Sequence, residues 1–401
     1  GRKARRMHLT GGKCNTGGSG FPFSFPVVCS QNRKILNAGK GEKKVDRLLI
    51  LTFCILQIIK GILFPDFEPL PVTGEHIVET AEETWVDKDR LETYTDTGEN
   101  RSVTRKIWYP KEEGSYPLVV FSHGAGGVLE SNASTCENLA SHGYVAVAIA
   151  HPYQAAYVRN VNGKITPIDA TFMEQIMTGG NAETGNPGKT AESDKKTSEE
   201  EKERQLYERQ MEWMTVRRGD MNFVLDTLLA KVSQSGKAPY DRIDTGKIGV
   251  VGHSLGGATA VAAGRERSDI SAVIDIEGTM LAEYTGYEKG KHTFYEEPYP
   301  VPLLDINSRA VYEEAKGLAA EGEEYVNFYV GRQAADFREV IFEDAGHMNF
   351  CDLSLASPIL AGLLGTGTVD EWECLENLNE LVLNYFDCYL KDQPLVIKDS
   401  Y

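Results

Sequence analysis

The feature that most constrains the fold is a five-residue turn, Gly-His-Ser-Leu-Gly, at positions 252–256. An apolar, β-branched run at 248–251 precedes this turn, and a small-residue run typical of a helix start follows at 257–263. Gly252 and Gly256 let the chain reverse sharply, because side chains there would collide with the adjoining strand and helix. The sequence therefore predicts a strand, a tight turn carrying Ser254, and a helix whose N-terminus favours negative charge.

Other apolar runs alternate with helical stretches along the chain, which favours a mostly parallel central sheet flanked by helices. Each run ends at or just before a polar or small residue, and ligands in such sheets bind at the carboxyl ends of the strands. With the turn at 252–256, this α/β pattern is typical of the α/β-hydrolase fold. The runs stand at 116–122, 144–150, 247–252, 270–276, 301–306 and 339–343.

The first 64 residues differ in charge from the rest. They carry 12 Lys and Arg against 2 Asp and Glu, a balance of +10, whereas the remainder carries 30 against 57, a balance of −27. Because phosphate contacts need clustered basic side chains, we do not expect the acidic part of the chain after residue 64 to bind nucleic acid. No cysteine and histidine cluster has zinc spacing, so neither a metal nor a cofactor is expected.

We divide the chain into four segments. Residues 1–46 are expected to be a disordered or artefactual basic extension, 47–64 a hydrophobic helix or signal anchor, 65–75 a linker and 76–401 the catalytic domain. The run 48–64 is near the minimum length that spans a bilayer, and basic residues precede it. We therefore expect residues 48–64 to associate with a membrane, and the protein to be extracytoplasmic or membrane-anchored. The alternatives are an amphipathic or buried helix, and a cytoplasmic protein.

Residues 160–202 interrupt the alternation with a Gly-, Asn- and Lys-rich stretch and a charge run. Loops of this length within a domain are commonly lids or binding loops. We expect a lid-like insertion here, followed by a long helix over 203–230 that leads into the strand before Ser254.

A serine nucleophile needs a neutral imidazole to take its proton. His347 is the only histidine after position 292 and follows an apolar run, so it is the expected base. His253 lies inside the turn, facing away from the reacting side of Ser254, and is expected to be structural. For the acid that orients the base, Asp275 at the end of the next strand is preferred, and Asp305 is the runner-up.

The oxygen of a reacting carbonyl needs backbone donors above the sheet. The segment Phe121-Ser-His-Gly-Ala-Gly-Gly127 follows an apolar run and supplies a His-Gly-x-Gly turn, in which His123 and Gly124 support the backbone. The expected donors are the N–H groups of Ala125 and of Leu255, the residue after the nucleophile.

Several segments together resemble the platelet-activating factor acetylhydrolase family, in its secreted and intracellular type II branch. The likeness covers roughly 100–390, and it implies a serine esterase with its acid at Asp275 and its oxyanion donors at Ala125 and Leu255. The matching stretches are 117–124, 139–144, 252–257, 273–275, 302–308 and 346–350. The chain departs from the family at His151-Pro-Tyr153 and at Glu277, so we expect His151, Tyr153 and Glu277 around the substrate pocket.

The expected function is therefore hydrolysis of short-chain acyl esters through an acyl-enzyme, with small-molecule esters or phospholipid sn-2 esters as substrates. Dienelactone hydrolases and cutinase-like polyester hydrolases share the Gly-His-Ser-x-Gly core and remain alternatives. A non-catalytic binding protein of the same fold is an alternative of another class, which would lack one of the three reacting residues.

Overall fold

The computed structural model describes residues 42–183, 199–320 and 322–401. The chain divides into two compact units, one ending at Gln57 and the other spanning Ile58–Tyr401. The second unit contains every residue that the sequence predicts to be functional. The predicted basic extension 1–46 lies almost wholly outside the described residues, and so does the stretch 184–198 of the predicted insertion.

Apolar, largely β-branched segments form the central strands, whose residues are buried at nearly every position. The strands are β1 (Val78–Leu91), β2 (Asn100–Pro110), β3 (Tyr116–Ser122), β4 (Val145–Ala150), β5 (Tyr157–Arg159), β6 (Ile165–Pro167), β7 (Ile243–His253), β8 (Ala272–Ile276), β9 (Tyr284–Glu288), β10 (Lys291–Phe294), β11 (Leu303–Ser308) and β12 (Phe337–Phe342).

Eight of these strands form one sheet in the order β1-β2-β4-β3-β7-β8-β11-β12. The first two pairings are antiparallel, and every pairing from β4 to β12 is parallel. The remaining strands form two short antiparallel hairpins, β5 with β6 and β9 with β10. The predicted α/β class and the mostly parallel sheet are confirmed. The parallel strands bring the ends of β3, β7 and β8 to one edge.

Helices flank the sheet on both faces, and the last of them begins at a recognisable signal. Asp370 caps the last one by accepting hydrogen bonds from the backbone N–H groups of Trp372 and Glu373. The helices are α1 (Glu42–Leu63), α2 (Ala133–Ser141), α3 (Ala170–Glu183), α4 (Glu199–Gln234), α5 (Leu255–Glu266), α6 (Arg309–Ala320), α7 (Val326–Gln333), α8 (Leu353–Ala356), α9 (Pro358–Leu364) and α10 (Glu371–Lys391).

The core has one layer on each face of the sheet. Side chains of α2 and α10 cover the face that carries Val119, Phe121 and Val251. Side chains of α4 and α5 cover the opposite face, with Val120 and Val250. Successive strand residues thus enter opposite layers, and both layers are apolar. This explains why the strands read as nearly continuous apolar runs.

The signal-anchor prediction for residues 48–64 concerns α1. A helix is present there, and its side chains at Leu49, Phe53, Ile55 and Ile58 are exposed. No helix in the described parts of the chain is both long and apolar enough to cross a membrane.

The predicted insertion 160–202 is more ordered, in its described part, than a loop. It contains the end of the β5–β6 hairpin and all of α3, and α4 already begins at Glu199. Phe172 of α3 is buried and packs edge-on against Trp213 of α4. The described part of the insertion is therefore fixed to the domain through an aromatic contact.

The two glycines of the turn at 252–256 stand where a methyl group cannot be added. A Cβ at Gly252 would lie 2.1 Å from the backbone oxygen of Gly256, at the start of α5. A Cβ at Gly256 would lie 1.9 Å from the backbone oxygen of Ser122, at the end of β3. The collisions predicted for side chains at both positions, with the helix and with a neighbouring strand, are therefore present.

The backbone obstacle at Gly256 predicts a loss of stability on substitution. Because backbone cannot move aside as a flexible side chain can, we expect Gly256→Ala to destabilise the fold by about 3 kcal/mol or more. Thermal melting should then show a midpoint at least roughly 5 °C below that of the wild type.

Gly317→Ala is the matched control, since Gly317 lies in α6 and a Cβ there meets no atom within 4 Å. Alanine favours the helix over glycine by about 1 kcal/mol, so this variant should melt slightly higher. A Gly256→Ala protein that melts with the wild type would contradict the close approach.

Candidate active site

Ser254 occupies the turn between β7 and α5 with φ 57° and ψ −127°. A positive φ costs a non-glycine residue on the order of 1–3 kcal/mol, so surrounding contacts must hold it. One such contact is the hydrogen bond from the Ser254 backbone N–H to the carbonyl of Ile276, at 2.8 Å. The predicted strand, turn and helix are confirmed, and the partly exposed Ser254 stands at the N-terminus of α5.

Glu277 is the first residue beyond β8 and also has a positive φ, 50°. Its backbone N–H donates to the carbonyl of Ile306 at 2.7 Å, which ties the turn to β11. One carboxylate oxygen, Oε1, accepts a hydrogen bond from the backbone N–H of Ser308 at 2.9 Å. The other, Oε2, lies 2.6 Å from Nδ1 of His347. Glu277 is therefore a buried, fixed partner for the imidazole.

The bond to Glu277 determines which tautomer His347 adopts. A carboxylate only accepts hydrogen bonds, so Nδ1 of His347 carries the proton and donates it. In the neutral ring Nε2 is then the unprotonated nitrogen. This is the tautomer in which an imidazole can accept the proton of a serine hydroxyl.

His253 contacts the loop that carries His347. Its Nε2 donates to the backbone carbonyl of His347 at 3.1 Å, and the two rings lie 4.5 Å apart. Burial, together with the nearby His347, lowers the pKa of His253 well below its ordinary range, so this imidazole is neutral. These contacts bring His347 alongside the residue that precedes Ser254, and they agree with the structural role predicted for His253.

The expected pairing of Asp275 with His347 is wrong. Asp275 is fully buried, and a Cβ at Gly257 would lie 1.8 Å from its Oδ1, so the carboxyl is enclosed beneath the start of α5. Neither of its oxygens makes a well-aligned hydrogen bond with the described part of the chain. Asp275 belongs to the interior of β8, whereas Glu277 follows the strand and is longer by one methylene. Glu277 is therefore the carboxylate that reaches His347.

Asp305, the runner-up for the acid, is buried beside Asp275 on the neighbouring strand and in register with it. The side-chain amide of Asn327 donates to its two oxygens at 3.4 and 3.2 Å. Burial, with the charge of Glu339, raises the pKa of Asp305 to about 7. Burial and the adjacent Asp305 raise the pKa of Asp275 well above its ordinary range. The two carboxyls form a buried pair that cannot readily ionise together.

The His-Gly-x-Gly turn lies directly beside Ser254. A Cβ at Gly124 would come within 3.1 Å of the Ser254 Cβ. Nε2 of His123 accepts a hydrogen bond from the backbone N–H of His151 at 3.3 Å, so its Nδ1 donates to the Gly124 carbonyl at 2.7 Å. Ala125 packs in the apolar cluster that contains Leu255. The two residues predicted to supply backbone donors therefore lie in one cluster, and their donor role stays a prediction.

His151, expected at the substrate pocket, lies in the interior instead, whereas Glu277 contacts His347. His151 is fully buried, with Nδ1 3.0 Å from Asp220 and Nε2 2.9 Å from the Ser122 hydroxyl. Burial and the charge of Arg217 lower the pKa of His151 to about 4. Tyr153 is partly exposed and stacks on Tyr94 at 5.3 Å between ring centroids.

An apolar cluster beside the turn contains residues that the sequence did not single out. Phe172, Met214, Ala258, Ala262 and Leu281 pack there with Leu255. Ile168, Phe172 and Ile176 follow at intervals of four, a helical spacing that could have revealed this part of the insertion as a packed helix. Across the described ranges, no cluster of three or more His, Cys, Asp or Glu could hold a metal ion.

The raised pKa of Asp305 predicts how stability depends on pH. In the folded state the carboxyl holds its proton up to about pH 7, whereas in the unfolded chain it ionises near pH 4. The folded state therefore loses stability as pH rises between these values, and the loss is complete above the higher one. Asp305→Asn cannot ionise, so its melting temperature relative to the wild type should increase from pH 4 to about pH 7 and then level off.

Thermal melts in matched buffers measure this difference. Asp96→Asn is the control, because Asp96 is exposed and should show no comparable trend. A constant offset between Asp305→Asn and the wild type at every pH would contradict the prediction.

Comparison with known proteins identifies the family of this chain. The family model for platelet-activating factor acetylhydrolase, isoform II, matches residues 77–395. Platelet-activating factor acetylhydrolases of Cavia porcellus and Gallus gallus are 24% and 23% identical over 69% of this chain. The aligned region spans 58% and 62% of those relatives' own length.

A solved structure described as a ferulic acid esterase from Streptomyces cinnamoneus has the same fold. It is 22% identical, with a TM-score of 0.60 over 82% of this chain and 95% of that one. Because the family model covers most of the chain, including Ser254, Glu277 and His347, the resemblance seen in the sequence is confirmed. This chain belongs to the platelet-activating factor acetylhydrolase, isoform II, family.

Proposed function

We propose that this chain hydrolyses carboxylic esters through an acyl-enzyme, with Ser254 as nucleophile, His347 as general base and Glu277 as the acid that orients it. The 2.6 Å hydrogen bond between Glu277 and Nδ1 of His347 carries this proposal. It gives the imidazole the tautomer that a base requires, on a loop that contacts the Ser254 turn. The family to which the chain belongs supports the same chemistry.

The reaction proceeds in two halves. Nε2 of His347 takes the proton of the Ser254 hydroxyl while Oγ bonds to the ester carbon, and the carbonyl oxygen becomes an oxyanion. The protonated His347 then gives that proton to the departing alkoxide oxygen as the ester bond breaks. Water repeats the sequence on the acyl-enzyme and releases the carboxylic acid. Glu277 keeps its hydrogen bond to Nδ1 throughout and stabilises the imidazolium.

The oxyanion is held by the N–H groups of Leu255 and Ala125. Leu255 is the first residue of α5, and the first N–H groups of a helix have no partner within it. The helix N-terminus adds a partial positive charge at the same point. Each such donor contributes about 10²–10³-fold to turnover in serine hydrolases.

We propose short-chain acyl esters as substrates, including phospholipids with a short or oxidised sn-2 chain. The apolar cluster at the turn supports an acyl site, because the buried Phe172, Leu255 and Leu281 pack together beside Ser254. The names of the relatives, platelet-activating factor acetylhydrolases, support the same substrate class. The dienelactone hydrolase and polyester hydrolase alternatives are not favoured by the family to which the chain belongs.

A lipid substrate agrees with the exposed apolar side chains of α1. We propose that this helix contacts a lipid surface on the extracytoplasmic side, with Phe53, Ile58 and Ile62 exposed for that contact. Sedimentation with phospholipid vesicles tests the association, and replacing these three residues by Asn should abolish it.

The catalytic assignment predicts a ranked loss of activity. Ser254→Ala should abolish turnover of p-nitrophenyl acetate and labelling by a fluorophosphonate probe, because both need the serine Oγ. Glu277→Gln should lower kcat by about 10³–10⁴-fold, since an amide can also donate and no longer fixes the tautomer of His347.

Asp275→Asn and Asp305→Asn are the matched controls, because neither carboxyl contacts His347. Each should keep kcat within about tenfold of the wild type, given that neither touches the reacting atoms. The Glu277 assignment fails if Asp275→Asn loses activity while Glu277→Gln keeps it. A Ser254 that takes no fluorophosphonate would favour a binding protein instead of an enzyme.

The acyl site predicts a change of chain-length preference in Phe172→Ala. Removing the buried ring opens space beside Leu255, so kcat/KM for an octanoyl ester should rise relative to that for an acetyl ester, by about 10-fold or more. Met177→Ala is the control on the same helix, because Met177 is exposed. An unchanged ratio in a folded Phe172→Ala protein would remove this cluster from the acyl site.

A further inference from the structure

Arg217, in the middle of α4, is a fully buried cation whose hydrogen bonds converge on the turn beside Ser254. Its Nη1 donates to the backbone carbonyl of His123, and its Nη2 donates to that of Gly124 at 3.2 Å. Its Nε donates to the side-chain carbonyl of Gln154 at 2.7 Å. The guanidinium thus contacts two consecutive peptide groups of the His-Gly-x-Gly turn.

Burying a charge is costly unless the structure compensates for it. Every acceptor named for Arg217 is an uncharged oxygen, whereas the nearby carboxylate of Asp220 binds Arg101 through two bonds of 2.7 Å. Asp220 also accepts from Arg90 at 2.9 Å. The carboxylate that could neutralise Arg217 directly is therefore committed elsewhere, and the donors of Arg217 remain available to the turn.

The contact with Gly124 has a geometric consequence. In a trans peptide the N–H points opposite to the C=O. The Gly124 carbonyl faces Arg217, so the N–H of Ala125, which belongs to the same peptide group, faces away from it. Gly124 also abuts Ser254 on its other side, at 3.1 Å between the Ser254 Cβ and a Cβ built at Gly124. A donor bound to the carbonyl also polarises the peptide and strengthens its N–H as a donor.

We propose that Arg217 is a positioning residue that orients the Gly124–Ala125 peptide so that the Ala125 N–H meets the oxyanion. The inference rests on the proposed function, since it concerns the donor of that same site. Gln154 supports the arrangement twice, because its side chain fixes the Arg217 Nε and its backbone carbonyl accepts from the N–H of Gly126 at 2.9 Å. Arg217 itself does not touch the substrate.

The test compares Arg217→Lys and Arg217→Gln with the wild type on an ester and on the matching thionoester. A lysine keeps the charge but lacks the planar guanidinium, so it cannot bind both carbonyls and Gln154 at once. We expect kcat for the ester to fall by about 10–100-fold, less than the loss of a whole donor. We expect KM to stay within about twofold, because substrate binding does not depend on this peptide.

The thionoester separates positioning from general structural damage. Sulfur is a weak hydrogen-bond acceptor, so a well-aimed donor favours the oxygen ester over its sulfur analogue. The ratio of kcat for the ester to kcat for the thionoester should therefore be lower in the Arg217 variants than in the wild type. Arg218→Gln is the matched control, because Arg218 is the next residue on α4 and bridges Glu266 at the surface. It should keep the wild-type kcat and ratio.

If the Arg217 variants do not fold, Gln154→Met removes the acceptor of the Arg217 Nε and should give a smaller change of the same sign. The positioning role would be overturned by a folded Arg217 variant that keeps the wild-type kcat and the wild-type ester-to-thionoester ratio. If no Arg217 variant folds, the same result in Gln154→Met would overturn it. If Ser254→Ala is inactive in the same assay, only this inference has failed. Ester turnover surviving in Ser254→Ala would overturn the proposed function together with it.

Discussion

The site depends on the close approach of β7, α5 and β3 at the turn that carries Ser254. The backbone of Gly256 passes so near the Ser122 carbonyl, and so near Gly252 before the turn, that only hydrogen fits in place of a side chain at either glycine. That packing makes the strained φ of Ser254 tolerable, because the strand before it and the helix after it are both fixed by the core. It also sets the distance between the nucleophile and the turn at 123–127. The other functional groups are arranged around this one approach.

Two kinds of buried carboxyl group lie on or just after the neighbouring strands β8 and β11, and their surroundings separate their roles. Glu277 accepts hydrogen bonds from a backbone N–H and from His347, which suits a charge. Asp275 and Asp305 face each other in register with few donors, and burial raises the pKa of both. Ionised groups need compensation in the interior, so the compensated carboxylate can act on the imidazole while the pair is structural.

A second buried network supports the other side of the site. Arg101, Asp220, His151 and the Ser122 hydroxyl form a continuous chain of hydrogen bonds below the His-Gly-x-Gly turn. Burial makes such a network rigid, because each member would be expensive to leave without its partner. A rigid support suits a site in which backbone donors must stay within a few tenths of an ångström of their target.

The sequence by itself determined the fold class, the turn at Ser254, the base candidate His347 and the two candidate backbone donors. These follow from local patterns: β-branched runs, glycines at a sharp reversal, and the order of groups along a parallel sheet. The partner of His347 could not be read in this way. Asp275 and Glu277 are two residues apart, and the choice depends on where β8 ends and how the chain turns at φ 50°. The Gly278 that follows Glu277 is a turn signal, but it does not say which carboxylate faces a loop seventy positions later. The same holds for Arg217, whose importance arises from contacts across more than ninety residues. Only the tertiary structure decided these pairings, because distant groups are brought together by the packing of the whole sheet.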